Sequence, residues 1–300
     1  MAKSPIVISG SPRSGSTWLG KVLSNHPETI YIHEPFNIGI KRDDSPFKYW
    51  IEGVFSAQPK EHQKEVKTYL KGFYSLTPSF LKKTFEPVKG LKTLRDFRWL
   101  VNDRNRKTTI LKDPIAFFAL EWIYANITPK IIVSIRHPAG VISSLLAKEW
   151  GYDFNDMLAQ PELMENYLKP FEEKIKEFAK TPPSLLDQGI LLWNCVYHTA
   201  FIYQKKHAED WLFIKNEELS LDSMGAFKKV LRFSDLNFDP LVKDYIEATT
   251  KPKDNVESEF VRDSAKNVKS WQSRLTSEEI VYIKLETNDV WKLFYTEEDW

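Results

Sequence analysis

Ten residues, Ser9-Gly10-Ser11-Pro12-Arg13-Ser14-Gly15-Ser16-Thr17-Trp18, have the make-up of an anion cradle. Their two glycines let the backbone curl so that successive N–H groups point inward, and a helix beginning near Gly15 adds the positive end of its dipole. Gly10, four residues, Gly15 and then Thr17 come close to a Walker A outline, but Ser16 stands where that loop carries lysine, and a cation lies inside the loop as Arg13. Kinases and GTPases use the lysine with magnesium to hold the β and γ phosphates, so its absence counts against triphosphate chemistry. A Gly/Ser-rich turn between strand and helix also occurs in α/β proteins without any ligand. A second segment, Ile135-Arg136-His137-Pro138-Ala139-Gly140-Val141-Ile142-Ser143-Ser144-Leu145, sets an arginine at the end of an apolar run and two hydroxyls two turns into a following helix. Arg136 and one of these serines can clamp a dianion, because guanidinium bonds to phosphate are charge-assisted and directional. The alternative is an arginine that caps a strand, with serines facing solvent.

These residues need elements to position them. Short runs rich in β-branched residues at 5–9, 29–33, 108–111, 130–135 and 211–214 read as five strands, apolar on both faces as buried parallel strands require. Helical patterns follow at 16–25, 115–125, 139–149, 187–207 and 223–233, and 276–287 opens on a capping-box pattern, Thr276-Ser277-Glu278-Glu279. The alternation predicts an α/β P-loop fold of three α/β/α layers around a mainly parallel five-stranded sheet. Residues 1–300 read as one domain, with helical insertions at 36–106 and 150–183 that mix aromatics with charges and cap the carboxyl edge of the sheet.

The 300 residues are 42% hydrophobic and 28% charged with a formal net charge of +1, so no bulk basic field draws the chain to nucleic acid. Any anion must be held locally. The one cysteine, Cys195, rules out an intrachain disulfide and offers no CxxC spacing, and it reads as a buried small hydrophobe in a reducing compartment. With no signal-like apolar segment and no run of about 18 apolar residues, the expectation is a cytoplasmic protein without a membrane anchor.

Together the two anion-binding segments resemble the sulfotransferase superfamily, whose donor is 3′-phosphoadenosine 5′-phosphosulfate (PAPS). The likeness is to the carbohydrate, tyrosyl-protein and bacterial branches, which favour the Pro-Arg-Ser-Gly form seen at 12–15; weaker echoes lie at 111–114 (LKDP), 213–219 (FIKNEEL) and 271–279 (WQSRLTSEE). The resemblance implies that Ser11, Arg13, Ser14, Gly15, Ser16, Thr17 and Trp18 grip the 5′-phosphosulfate side, and that Arg136 with Ser144, eight positions later, grips the 3′-phosphate. It further implies sulfuryl transfer to a hydroxyl of a small molecule, sugar or lipid, with Arg13 stabilising the leaving bisphosphate and Lys112 meeting the sulfuryl oxygens. Cationic side chains then stand in for a metal, and none is required. Glu34, in His33-Glu34-Pro35-Phe36 after the second strand, matches the position of the proposed base; His33 competes with it but points to the opposite strand face. Partial burial is expected to raise the Glu34 pKa, and Asp113 is a candidate to orient Lys112. Lys266 or Lys269 matches a late loop that closes over the nucleotide, and Trp18 and Trp193 are candidate adenine neighbours. A P-loop kinase or nucleotide hydrolase, and a non-catalytic nucleotide-binding protein, remain the alternatives.

Overall fold

In the computed structural model, residues 4–75, 107–250 and 268–300 are described. Five strands, β1 (Ile6–Gly10), β2 (Thr29–His33), β3 (Thr108–Lys112), β4 (Lys130–Ile135) and β5 (Leu212–Lys215), pair in the order β2-β3-β1-β4-β5, every pair parallel. The period-2 alternation of side chains sends neighbouring strand residues into different cores. Val7, Leu111, Ile131 and Val133 join one hydrophobic cluster, and Ile6, Ile8, Ile110 and Ile132 join the other. Both faces are therefore covered by helices, as the apolar runs predicted.

The face of Ile6 and Ile8 carries α1 (Ser16–Ser24), whose Leu19, Val22 and Leu23 are fully buried. The opposite face packs α2 (Lys60–Tyr74), α3 (Leu120–Ile127), α4 (Pro138–Leu146), α5 (Glu172–Lys180) and the long α6 (Leu185–His207). Helices α7 (Asn216–Leu221), α8 (Ser223–Phe233) and α9 (Pro240–Thr250) follow β5, and α8 and α9 supply Phe227, Val230, Val242 and Ile246 to the core around α1. Helix α10 (Ser277–Glu286) opens on the expected reciprocal bonds, with the Thr276 hydroxyl accepting from Glu279 N–H and the Glu279 carboxylate from Thr276 N–H.

Among the described residues both insertions contain helices, as expected, and α2 and α5 are the longest of them. Helix α2 buries Val66, Tyr69, Leu70 and Phe73, an i, i+3, i+4, i+7 stripe, and α5 buries Ile175 and Phe178. Cys195 is buried in α6, as its reading required.

Candidate active site

Strands β1, β3 and β4 end side by side, and the chain leaving each contributes to one cleft of about 740 Å³. In open α/β sheets ligands bind outside the carboxyl ends of strands where the chain order reverses, which here is at β1. Arg13, Gly15, Ser16, Thr17 and Trp18 line the cleft from β1 and α1, Lys112 from β3, Glu34 from the end of β2, and Arg136 from β4.

The loop after β1 owes its shape to its glycines. Gly10 has φ 147° and Gly15 φ 93°. At Gly10 a Cβ would fall 2.3 Å from Ser134 O, so the loop can lie against β4 only without a side chain there. At Gly15 a Cβ would fall 2.0 Å from Asn216 Nδ2 at the start of α7. Gly15→Ala should therefore cost about 1–2 kcal/mol from the left-handed backbone alone, and weaken anion binding as Asn216 and the loop separate. Thermal melts and calorimetry with adenosine 3′,5′-bisphosphate (PAP) check both effects.

Ser11 and Ser14 lie beneath the cleft. The Ser11 hydroxyl meets the Tyr197 hydroxyl at 3.1 Å, and Ser14 O accepts from the Ser134 hydroxyl at 2.8 Å. Arg136 donates from Nη1 to Arg13 O (2.7 Å), and Arg13 donates from Nε to the Ser144 hydroxyl (2.9 Å). The two segments singled out in the sequence thus touch. Of the two serines in α4, Ser143 bonds back to Gly140 O while Ser144 reaches Arg13. The Arg13 guanidinium also lies 5.4 Å from the centre of the Trp150 ring, a partly exposed cleft wall.

Glu34 and Lys112 form the second centre. Lys112 Nζ donates to Glu34 Oε1 at 2.5 Å, and Asn37 Nδ2 donates to Glu34 Oε2 at 2.6 Å. Gly20 of α1 gives the lysine stem room, since a Cβ there would stand 3.2 Å from Lys112 Cγ. Burial alone would raise the Glu34 carboxyl, but the Lys112 hydrogen bond and charge, with the Asn37 bond, outweigh it and hold the carboxyl below its usual value. The expected upward shift is therefore corrected: the ammonium beside the carboxylate decides. His33 lies 3.7 Å from Glu34 Oε2 with its side chain half exposed, does not line the cleft, and is held low by burial and then by the Lys112 charge.

Among the described residues, five other than glycine have positive φ. Thr128, Glu149 and Asp235 follow helix ends, where left-handed residues are common; the others are Arg13 (φ 67°) and Glu34 (φ 44°). Strain of this kind persists only where surroundings over-determine it. At Glu34 the backbone N–H donates to Lys112 O (2.8 Å), while Arg42 donates to both Glu34 O and His33 O (2.8 Å each).

Asp113 does not orient Lys112. Its carboxylate accepts from the N–H groups of Phe36 (2.6 Å), Ile115 (3.0 Å) and Ala116 (3.2 Å), tying the turn after β2 to the turn after β3. Full burial, aided by the Glu34 charge, pushes this carboxyl up to about 7 against those bonds. The folded protein then holds a proton that the unfolded chain releases near its ordinary value of 3.8, so this group's contribution to stability falls as pH rises from about 4 to about 7. Asp113→Asn should flatten that part of the stability profile, read from melting temperatures at pH 5 and pH 7.5. The amide should also lower stability overall, since its NH₂ cannot accept from Phe36.

Trp193 is wholly buried, stacks on Tyr197 and donates to Arg136 O (3.2 Å), so its burial keeps it from facing a nucleotide. Trp18 does line the cleft, with Nε1 donating to Thr249 (3.2 Å). Lys269 bonds Glu298 O and Trp300 O away from the cleft lining, and Lys266 lies outside the described residues. Sequence reasoning missed Asn37, Arg42, Tyr197 and Asn216, polar residues whose partners are brought to them by the turns and by the sheet. Among the described residues no group of three or more His, Cys, Asp or Glu side chains is arranged to hold a metal ion, and no helix is long and apolar enough to cross a membrane.

Residues 5–240 match the family model described as "Sulfotransferase family". The chain belongs to that sulfotransferase family. Among solved structures, this sulfotransferase is similar to the sulfotransferase domain of the Synechococcus PCC 7002 olefin synthase, at 16% identity and TM-score 0.55 over 98% of this chain and 96% of that one. It is also similar to the sulfotransferase domain from the curacin biosynthetic pathway, at 14% identity and TM-score 0.51 over 96% and 99% of the two chains. At these identities the likeness speaks for the α/β fold. A search of curated proteins finds no match.

Proposed function

We propose that this sulfotransferase moves a sulfuryl group from PAPS to the hydroxyl of a small or medium-sized acceptor, a sugar, lipid or other hydroxyl-bearing small molecule, by in-line displacement without a metal ion. The supporting observation is the convergence of Arg13, Glu34, Lys112 and Arg136 on one cleft beside the helix N-terminus of α1. Three cations and a row of N–H groups suit a ligand with two separated anionic groups, and Ser16 in place of the Walker lysine suits a donor other than a triphosphate.

In this reading Glu34 is ionised before the acceptor arrives, because Lys112 and Asn37 keep its pKa low. It accepts the acceptor's hydroxyl proton as the new S–O bond forms and the bond from sulfur to the bridging oxygen breaks. Lys112, already beside Glu34, has further N–H groups for the sulfuryl oxygens, and Arg13 offsets charge growing on the departing PAP. Its low pKa keeps Glu34 in the form that can accept a proton across the neutral range, with a smaller driving force for the transfer than a base poised near pH 7 would have.

Calorimetry with PAP in the presence of EDTA, with ATP and 5′-AMP as comparators, tests the donor assignment. The expected result is metal-independent binding that depends on the 3′-phosphate. Equal affinity for PAP and 5′-AMP would remove the assignment.

A further inference from the structure

We infer that Tyr197 is a positioning residue that couples the two phosphate-gripping segments, so that the donor's 5′ and 3′ groups are bound cooperatively; this rests on the donor reading above. Tyr197 is on α6, is 1% exposed and does not line the cleft. Its hydroxyl nonetheless touches both segments. The Arg136 N–H donates to it at 2.8 Å, and the Ser11 hydroxyl lies 3.1 Å away.

The direction of these bonds follows from the groups involved. A backbone N–H can only donate, so the single phenolic hydrogen has Ser11 Oγ as its acceptor, and a buried phenol left without one would lose about 1–3 kcal/mol. Ser11 is thereby oriented with its own hydrogen turned away from Tyr197. The ring is fixed as well, stacked on Trp193 with centroids 4.4 Å apart, and the Trp193 indole donates to Arg136 O at 3.2 Å. One helix therefore holds both the N–H and the C=O of Arg136.

The other links between the segments behave differently when an anion arrives. The Arg136 guanidinium on Arg13 O and the Arg13 guanidinium on Ser144 are side-chain contacts of the same groups that would meet the donor. They exchange for ligand oxygens on binding. The Tyr197 bridge uses a backbone N–H and a serine beneath the cleft, so it persists in both states. A shift of Ser11 is passed to the backbone of Arg136 through one oxygen atom. Seating the 5′ group thus fixes Arg136 for the 3′-phosphate, which is a coupling free energy between two subsites.

The test compares the affinities of wild-type protein and Tyr197→Phe for 5′-AMP, 3′-AMP and PAP by calorimetry in EDTA. In the wild type the gain on adding the 3′-phosphate to 5′-AMP measures the donor reading by itself. No gain would end that reading and this inference with it. With the gain present, Tyr197→Phe is expected to reduce it by about tenfold, the scale of one lost hydrogen bond, while binding each monophosphate much as the wild type does. A Tyr197→Phe protein that keeps the full gain overturns the role of Tyr197 and leaves the donor reading standing. If that variant fails to fold, Ser11→Ala breaks the same bridge from the loop side. Loss of the gain in Ser11→Ala supports the coupling, and an undiminished gain overturns it.

Discussion

Turnover of Glu34→Gln is expected to fall by about 10²–10⁴-fold, the usual contribution of a positioned general base, while PAP affinity stays close to that of the wild type. The substitution is nearly isosteric, but the amide cannot take up a proton. Its NH₂ must also face either Lys112 Nζ or Asn37 Nδ2, both of which donate to Glu34 in the native site. The sign of the pH dependence follows from the ion pair. A base whose pKa lies below its ordinary 4.5 is unprotonated throughout the neutral range, so kcat/KM of the wild type should lose activity to this group only when the pH falls below that value. An acid limb near pH 7 would show that a group other than Glu34 sets the rate. Full activity of the Gln variant would remove Glu34 from the chemistry.

For Arg136→Ala the expected loss is in binding: about 1.5–3 kcal/mol in PAP affinity, or roughly 10- to 150-fold, from a missing charge-assisted bond. The same change removes the donor to Arg13 O, so the loop after β1 loses one tether even without ligand. Affinity for 5′-AMP should fall much less than affinity for PAP, because only PAP has the second phosphate. Calorimetry with both nucleotides gives the ratio, and an equal loss for the two would place Arg136 in loop structure and not at the 3′-phosphate.

The centre of the sheet was open to sequence reasoning because β1, β3 and β4 each carry β-branched residues on both faces, a pattern that does not depend on their neighbours. Helix α2 was as legible in principle, since Val66, Tyr69, Leu70 and Phe73 keep helical spacing. Its Lys- and Glu-rich outer face hid the stripe. The site was legible where chemistry and position coincide within one segment, as in the loop around Arg13. It was illegible where two segments must meet. Glu34 and Lys112 are 78 residues apart, and only the register that pairs His33 with Lys112 puts the carboxylate on the ammonium and reverses the expected shift. Tyr197 is separated from Ser11 by 186 residues, so nothing local distinguishes it from the other aromatics of α6.

The position of β1 between β3 and β4 also governs the order in which the protein can assemble. Ile6 pairs with Ile110 on one side and Lys130 on the other. As the chain emerges during synthesis, β1 therefore waits for both partners, and the loop after it waits for Ser134 to hold Ser14 O. The anion cradle, written early in the chain, is completed late. Closing such long loops before any native contact rewards them slows folding, and a nascent chain stopped short of β4 lacks one partner of β1 and the Ser134 bond to the loop, so it should not bind PAP.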